Sequence, residues 1–124
     1  MTSDQMLFDI FVTALEGGIG YWSAATEYHW AKQGDHDLRA EEDLEGFYAV
    51  ILDVEDDDKQ YRIDRAVITK GIATIMSPSF ETKIAKHIRK DVFGIAFNNP
   101  DVDYDAETAD CIVQAGLFGE LVYG

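Results

Sequence analysis

Met6, Leu7, Ile10, Phe11, Ala14 and Leu15 recur at the spacing of one helix face, with Ser3 ahead of them as a cap. Gly17-Gly18 follows as a left-handed stop that lets the chain reverse. Thr26, Tyr28 and Trp30 then alternate with Glu27 and His29, the period of a strand with one apolar and one polar face. Apolar residues run unbroken from Phe47 to Leu52, which predicts an interior strand covered on both faces. An Asp-rich stretch separates it from residues 60–64, where Tyr61 and Ile63 alternate with Arg62, so the two segments read as a hairpin. Asp64 is a good helix cap, and helical spacing returns at Ile68, Ile72, Ile75 and Met76 until Ser77-Pro78 ends it; Gly71 inside this run predicts close packing. Ile84, Ile88, Val92, Ile95 and Ala96 form the next stripe, stopped by Asn98-Asn99-Pro100, and a last helix runs from about Ala106 through Ile112, Val113, Leu117 and Leu121. The expected architecture is one α+β domain over residues 1–124. It holds a three-stranded antiparallel sheet packed by about four helices, in the order α-β-β-β-α-α-α.

The pleat of the sheet assigns the faces. With Thr26, Tyr28 and Trp30 turned toward the helices, Glu27 and His29 point outward; with Tyr61 and Ile63 inward, Gln60, Arg62 and Asp64 point outward. For the middle strand the inward set is read as Tyr48, Val50, Leu52 and Val54, because the alternate set ends in Asp53. The outer face would then expose Ala49 and Ile51. A second subunit, the 32–46 loop or a partner would have to cover them, a homodimer being the simplest solution.

Charge changes the picture more than size does. The chain has 124 residues, with 24 acidic against 10 basic side chains, and its net charge is −14. Residues 35–58 alone carry −10, whereas residues 59–90 carry +6. Such a balance repels nucleic acid and anionic lipid at long range and favours a basic protein, or a nucleic-acid-binding protein, as partner. With Cys111 as the single cysteine there is no internal disulfide, and with no basic leader or long apolar run the expected compartment is the cytoplasm, off the membrane. The polar segment Lys32 to Gly46 reads as a long loop with one helical turn at most, and as the most mobile part of the chain.

The run Thr13-Ala14-Leu15-Glu16-Gly17-Gly18-Ile19-Gly20-Tyr21-Trp22, followed by Tyr28-His29-Trp30, resembles a family of small proteins carried by bacteriophages that infect actinobacteria. The likeness covers the first quarter of the chain, with a looser echo from Gln114 to Gly124. The resemblance implies a setting, a phage protein at work in the host cell cytoplasm, and transfers no catalytic residue. On the residues alone, Tyr21 and Trp22 are aromatics folding back onto the core.

Candidate chemistry is sparse. Glu27, His29 and Arg62, with Asp53 near the rim, could frame a small-ligand site on the outer sheet face, or an ordinary solvated face with cross-strand charge pairs. His29, Asp35, His36 and Asp37 match no metal spacing, and Asp101, Asp103 and Asp105 imitate a calcium loop without its glycine or its terminal glutamate; the latter set reads as caps for the last helix. Lys83, Lys86 and Lys90 fall on one helix face and could hold a phosphate, or could simply be solvated. Gly17-Gly18-Ile19-Gly20 lacks the lysine and hydroxyl of a phosphate loop, and Cys111 has no base nearby in sequence. No metal and no cofactor are expected.

The function favoured at this point is non-enzymatic. An acidic surface made of Asp35, Asp37, Glu41, Glu42, Asp43, Asp53, Glu55, Asp56, Asp57 and Asp58 would engage a host component, as an inhibitor or a DNA-like decoy. The alternatives are a nucleotide-type ligand binder using Glu27, His29, Arg62 or the three lysines, and an enzyme with His29 and Asp53 as its acid and base.

Overall fold

The computed structural model describes residues 2–124. Helix α1 (Asp4–Thr13) is capped by the Ser3 hydroxyl, which accepts from the Met6 amide. Strands β1 (Ser23–His29), β2 (Tyr48–Asp53) and β3 (Lys59–Asp64) form one antiparallel sheet with β2 in the centre. Helices α2 (Arg65–Met76), α3 (Lys86–Ala96) and α4 (Ala106–Phe118) complete the expected α-β-β-β-α-α-α order. Asp64 and Asp105 cap α2 and α4 through the amides of Val67 and Thr108, as their positions predict.

Helix α1 does not stop at a left-handed glycine. It widens into a π turn over Ala14–Gly18, closed by the Ile19 amide on the Ala14 carbonyl, and neither Gly17 nor Gly18 has positive φ. Gly18 is small for a different reason: a Cβ there would lie 2.8 Å from the Ala106 carbonyl oxygen. The same logic governs the α2–α4 crossing. Cβ atoms at Gly71 and Gly116 would come within 2.0 Å of the Ile112 oxygen and 2.2 Å of the Val67 oxygen, so the two backbones touch where these glycines lie. Gly71 thus marks close packing, as its place in the apolar run predicts.

The middle strand faces the other way from the sequence reading. Ala49 and Ile51 are fully buried, and Tyr48, Val50 and Leu52 lie on the outer face, half-buried. Register puts Ala25, Ile51 and Tyr61 in one inward row and Tyr28, Ala49 and Ile63 in the next. The misleading residue is Asp53, which is itself buried at 1% exposure. Its carboxylate accepts from the Tyr123 hydroxyl at 2.7 Å and from the Glu55 amide at 3.0 Å. An unpartnered carboxylate would cost several kcal/mol to bury; these two donors reduce that cost, and the strand's phase buries Ala49 and Ile51. β2 is therefore central yet covered on one face only. The need for a second subunit over Ala49 and Ile51 disappears with them.

Two further expectations change. Thr26 sits at a bulge in β1 and is exposed, and Trp30 lies past the strand's end. Helix α3 begins at Lys86, so Lys83 belongs to the preceding turn and does not share a helical face with Lys86 and Lys90. Among the described residues, no helix is long and apolar enough to cross a membrane.

Candidate functional site

The loop between β1 and β2 is built, not slack. Its limbs meet in a short ladder: the Lys32 amide donates to the Glu41 carbonyl, the Asp43 amide donates to the Trp30 carbonyl, and Ala31 bridges Glu42. Asp35 turns the first limb by accepting from the amides of Trp30 (2.8 Å) and Ala31 (3.1 Å). Asp43 turns the second by accepting from the Gly46 amide (2.9 Å). One isolated helical turn closes the segment, the Phe47 amide donating to the Asp43 carbonyl.

His29, at the end of β1, ties the limbs together. Its Nδ1 lies 3.1 Å from Asp35 and its Nε2 2.9 Å from Asp43. An imidazole with a carboxylate at each nitrogen is best satisfied as the cation, donating on both sides. The Asp43 bond is the largest reason that the His29 pKa is raised, and Asp35 adds to it against the cost of burial. The carboxylates respond in the opposite sense: Asp35 is held low chiefly by the Trp30 amide, and Asp43 chiefly by His29. His36 and Asp37 take no part in this cluster. With its carboxylates on opposite nitrogens, the ring is a clamp, and no group of three His, Cys, Asp or Glu among the described residues is arranged to hold a metal ion.

Next to the clamp, a hollow of about 260 Å³ opens between the start of α1 and the second limb. Five carboxylates, Asp4, Glu41, Glu42, Asp43 and Glu45, line it against one cation, Lys32. Asp4 is paired with Arg65, Glu41 with Lys32 at 3.4 Å, and Asp43 with His29. Glu42 accepts only a neutral amide from Gln5 (3.1 Å), and among the described residues neither Glu42 nor Glu45 is paired with a cation. Asp4 and Glu45 escaped the sequence reading. Asp4 looks like an ordinary first-turn acid suited to the positive end of α1, and nothing in the sequence brings it to a loop some forty residues away.

The remaining predicted acids go elsewhere. Glu55, Asp56, Asp57 and Asp58 form the exposed β2–β3 turn, at the opposite end of β2 from the clamp. The five steps from Tyr48 to Asp53, at about 3.3 Å each, put roughly 17 Å between the two ends of the strand. The acidity of residues 35–58 is thus two separate patches, with Asp53 buried between them and bound into the fold.

Glu27 and Arg62 lie on the outer sheet face, as the alternation predicts, but they flank Val50 in register and not Ala49 and Ile51. The Arg62 guanidinium lies over the Tyr48 ring at 4.1 Å, and the Glu27 carboxylate raises the Tyr48 phenol by hydrogen bonding and charge. Lys83, Lys86 and Lys90 are exposed. Arg89, between the latter two, is committed to the end of α2, donating to the carbonyls of Ile75, Met76 and Ser77. Cys111 is buried, and burial pushes its thiol up to about 12, so it is protonated and a poor nucleophile.

No protein-family model, no curated protein and no solved structure matches this chain.

Proposed function

We propose that the protein binds a basic segment of another protein, with an arginine or lysine side chain of that partner entering the hollow lined by Asp4, Glu41, Glu42, Asp43 and Glu45. The observation that carries this reading is the hollow itself: five carboxylates line one small space, and two of them, Glu42 and Glu45, pair with no cation among the described residues. The His29 clamp supports it by fixing the limb that carries Glu41 to Glu45 before a partner arrives, so less ordering entropy is lost on binding. Charge on this scale also steers a basic partner toward the hollow. In the setting that the phage resemblance implies, the partner is a host protein and binding blocks its basic surface. The division of the acids between two ends favours local recognition of one segment over a DNA-like decoy spanning the molecule.

A fluorescent hexa-arginine peptide tests the reading by anisotropy. Affinity should fall at least about tenfold between roughly 50 mM and 500 mM salt. Glu42→Gln with Glu45→Gln should weaken binding by a further factor of about ten at low salt, each lost charge contact being worth up to ~1 kcal/mol. Salt-independent binding, or a double variant that binds like the parent, overturns the proposal.

A further inference from the structure

A larger cavity, of about 580 Å³, lies beside the acidic hollow and has the opposite character. Glu45 stands in the wall of both, and the Asp4–Arg65 ion pair separates them. Arg62 from β3 and Arg65 and Lys70 from α2 line this cavity, so it gathers three of the ten basic side chains in a chain that carries 24 acids. Ala66, Thr69, Lys70 and Ala73 occupy the exposed face of α2 at helical spacing, and the two alanines leave an open apolar floor next to the charges.

The cations are not fully used by the fold. Arg62 stacks by its face on the Tyr48 ring and pairs with Asp64 through Nε at a long 3.5 Å, and the Asp64 carboxylate is also committed to capping the Val67 amide. Lys70 has no ion pair among the described residues. Arg65 is the first residue of α2, where the positive end of the helix disfavours a cation, and its buried Nε has no hydrogen-bond partner. A local arrangement that works against stability is what a binding site leaves behind. An anion in this cavity would offset the charge that Arg62 and Lys70 bring to it.

We propose that this cavity binds a phosphate-bearing small molecule. Arg62 and Lys70 hold the phosphate, and Ala66 and Ala73 support the body of the ligand. A guanidinium and an ammonium suit a doubly charged phosphate, and the volume falls among small-molecule sites, well above what a bare ion fills. This inference is independent of the docking of a basic segment in the neighbouring hollow.

The test is titration of the intact protein with adenosine monophosphate, followed by calorimetry and by amide chemical shifts. Binding should shift the amides of residues 62–73, and Arg62→Gln with Lys70→Gln should weaken it at least tenfold while circular dichroism and the unfolding midpoint show an intact fold. Lys86→Gln with Lys90→Gln on α3 should leave it within twofold. Three results overturn the proposal: no binding at millimolar ligand, adenosine binding as tightly as its phosphate, or shifts that fall on α3 and ignore the Arg62/Lys70 pair. Inorganic phosphate should bind more weakly than the nucleotide; equal affinity would refute the role of the alanine floor.

Discussion

Asp110 in α4 and Asp35 in the β1–β2 loop each accept three donors, and the difference between them separates what builds this molecule from what the molecule displays. Asp110 is buried, and its donors are neutral: the Tyr21 hydroxyl at 2.6 Å, the Trp22 indole at 2.9 Å and the Gln114 amide at 2.9 Å. Gln114 passes the connection on. Its oxygen accepts from the amides of Val122 and Tyr123 at 2.8 Å, which fastens the last residues beside α4, and Tyr123 reaches Asp53. Each polar group in this chain of bonds is used up by another. Asp35 is exposed and takes two backbone amides and the His29 ring. It spends its hydrogen bonds on the shape of a loop, and the loop then holds Glu41, Glu42 and Glu45 out in water. Polar satisfaction is an end in the first region and a means in the second.

That contrast breaks if the two carboxylates prove equally costly to neutralise. Asp110→Asn keeps the shape but turns an amide toward three donors and leaves at least one unmet, so it should cost about 3 kcal/mol in urea unfolding. Asp35→Asn faces water, which can replace the lost acceptor, and should move the midpoint distinctly less. Equal shifts would mean that the loop is as much a part of the folding unit as the α4 network.

The pH response sharpens the same comparison at smaller amplitude. The His29 pKa is raised from 6.5, so its contribution is full below that pH and drains away as pH rises through the folded value. Asp35 and Asp43 are lowered from 3.8, so theirs is present above that pH and lost as pH falls through the folded values. The loop should accordingly be held best between about pH 4 and 6.5. Amide exchange reads this directly. After correction for base catalysis, protection at Lys32 and Asp43, whose amides close the ladder, should fall as pH rises above about 6.5 and through the raised His29 value, while Val122 and Tyr123, anchored on Gln114, should keep theirs. Parallel loss at both places would assign the change to global stability and remove the clamp.

How far the sequence carried follows the same division. Ser3, Asp64 and Asp105 announce helix starts because a cap depends on neighbours three residues away, and all three cap as read. The element order and the alternation of β3 were legible for the same reason. The phase of β2 was not, since it turns on Asp53 meeting Tyr123 seventy residues later, and no local pattern records that encounter. The hollow and the cationic cavity were missed for a related cause. Asp4, Glu45, Arg65 and Lys70 each look ordinary in their own segment and gain meaning only when α1, the loop and α2 are folded side by side.

The smallest effect concerns the other acidic end. Asp57 and Asp58 are the central residues of the turn closed by the Lys59 amide on the Asp56 carbonyl, and their φ values are 51° and 55°. Two side-chain-bearing residues in the left-handed region, carrying like charges side by side, are a local conflict of the kind Asn-Gly relieves. Asp57→Asn with Asp58→Gly should therefore raise stability by about 0.5 to 1.5 kcal/mol. The same variant decides which acidic end a basic partner uses. If the hollow beside the clamp is the docking site, hexa-arginine affinity at about 0.1 M salt stays within about twofold despite the two lost charges, because the strand alone puts roughly 17 Å between turn and hollow, beyond the Debye length of about 10 Å. A large loss of affinity together with the gain in stability would move the site to the turn, and would explain why the chain keeps a strained, charged tip there.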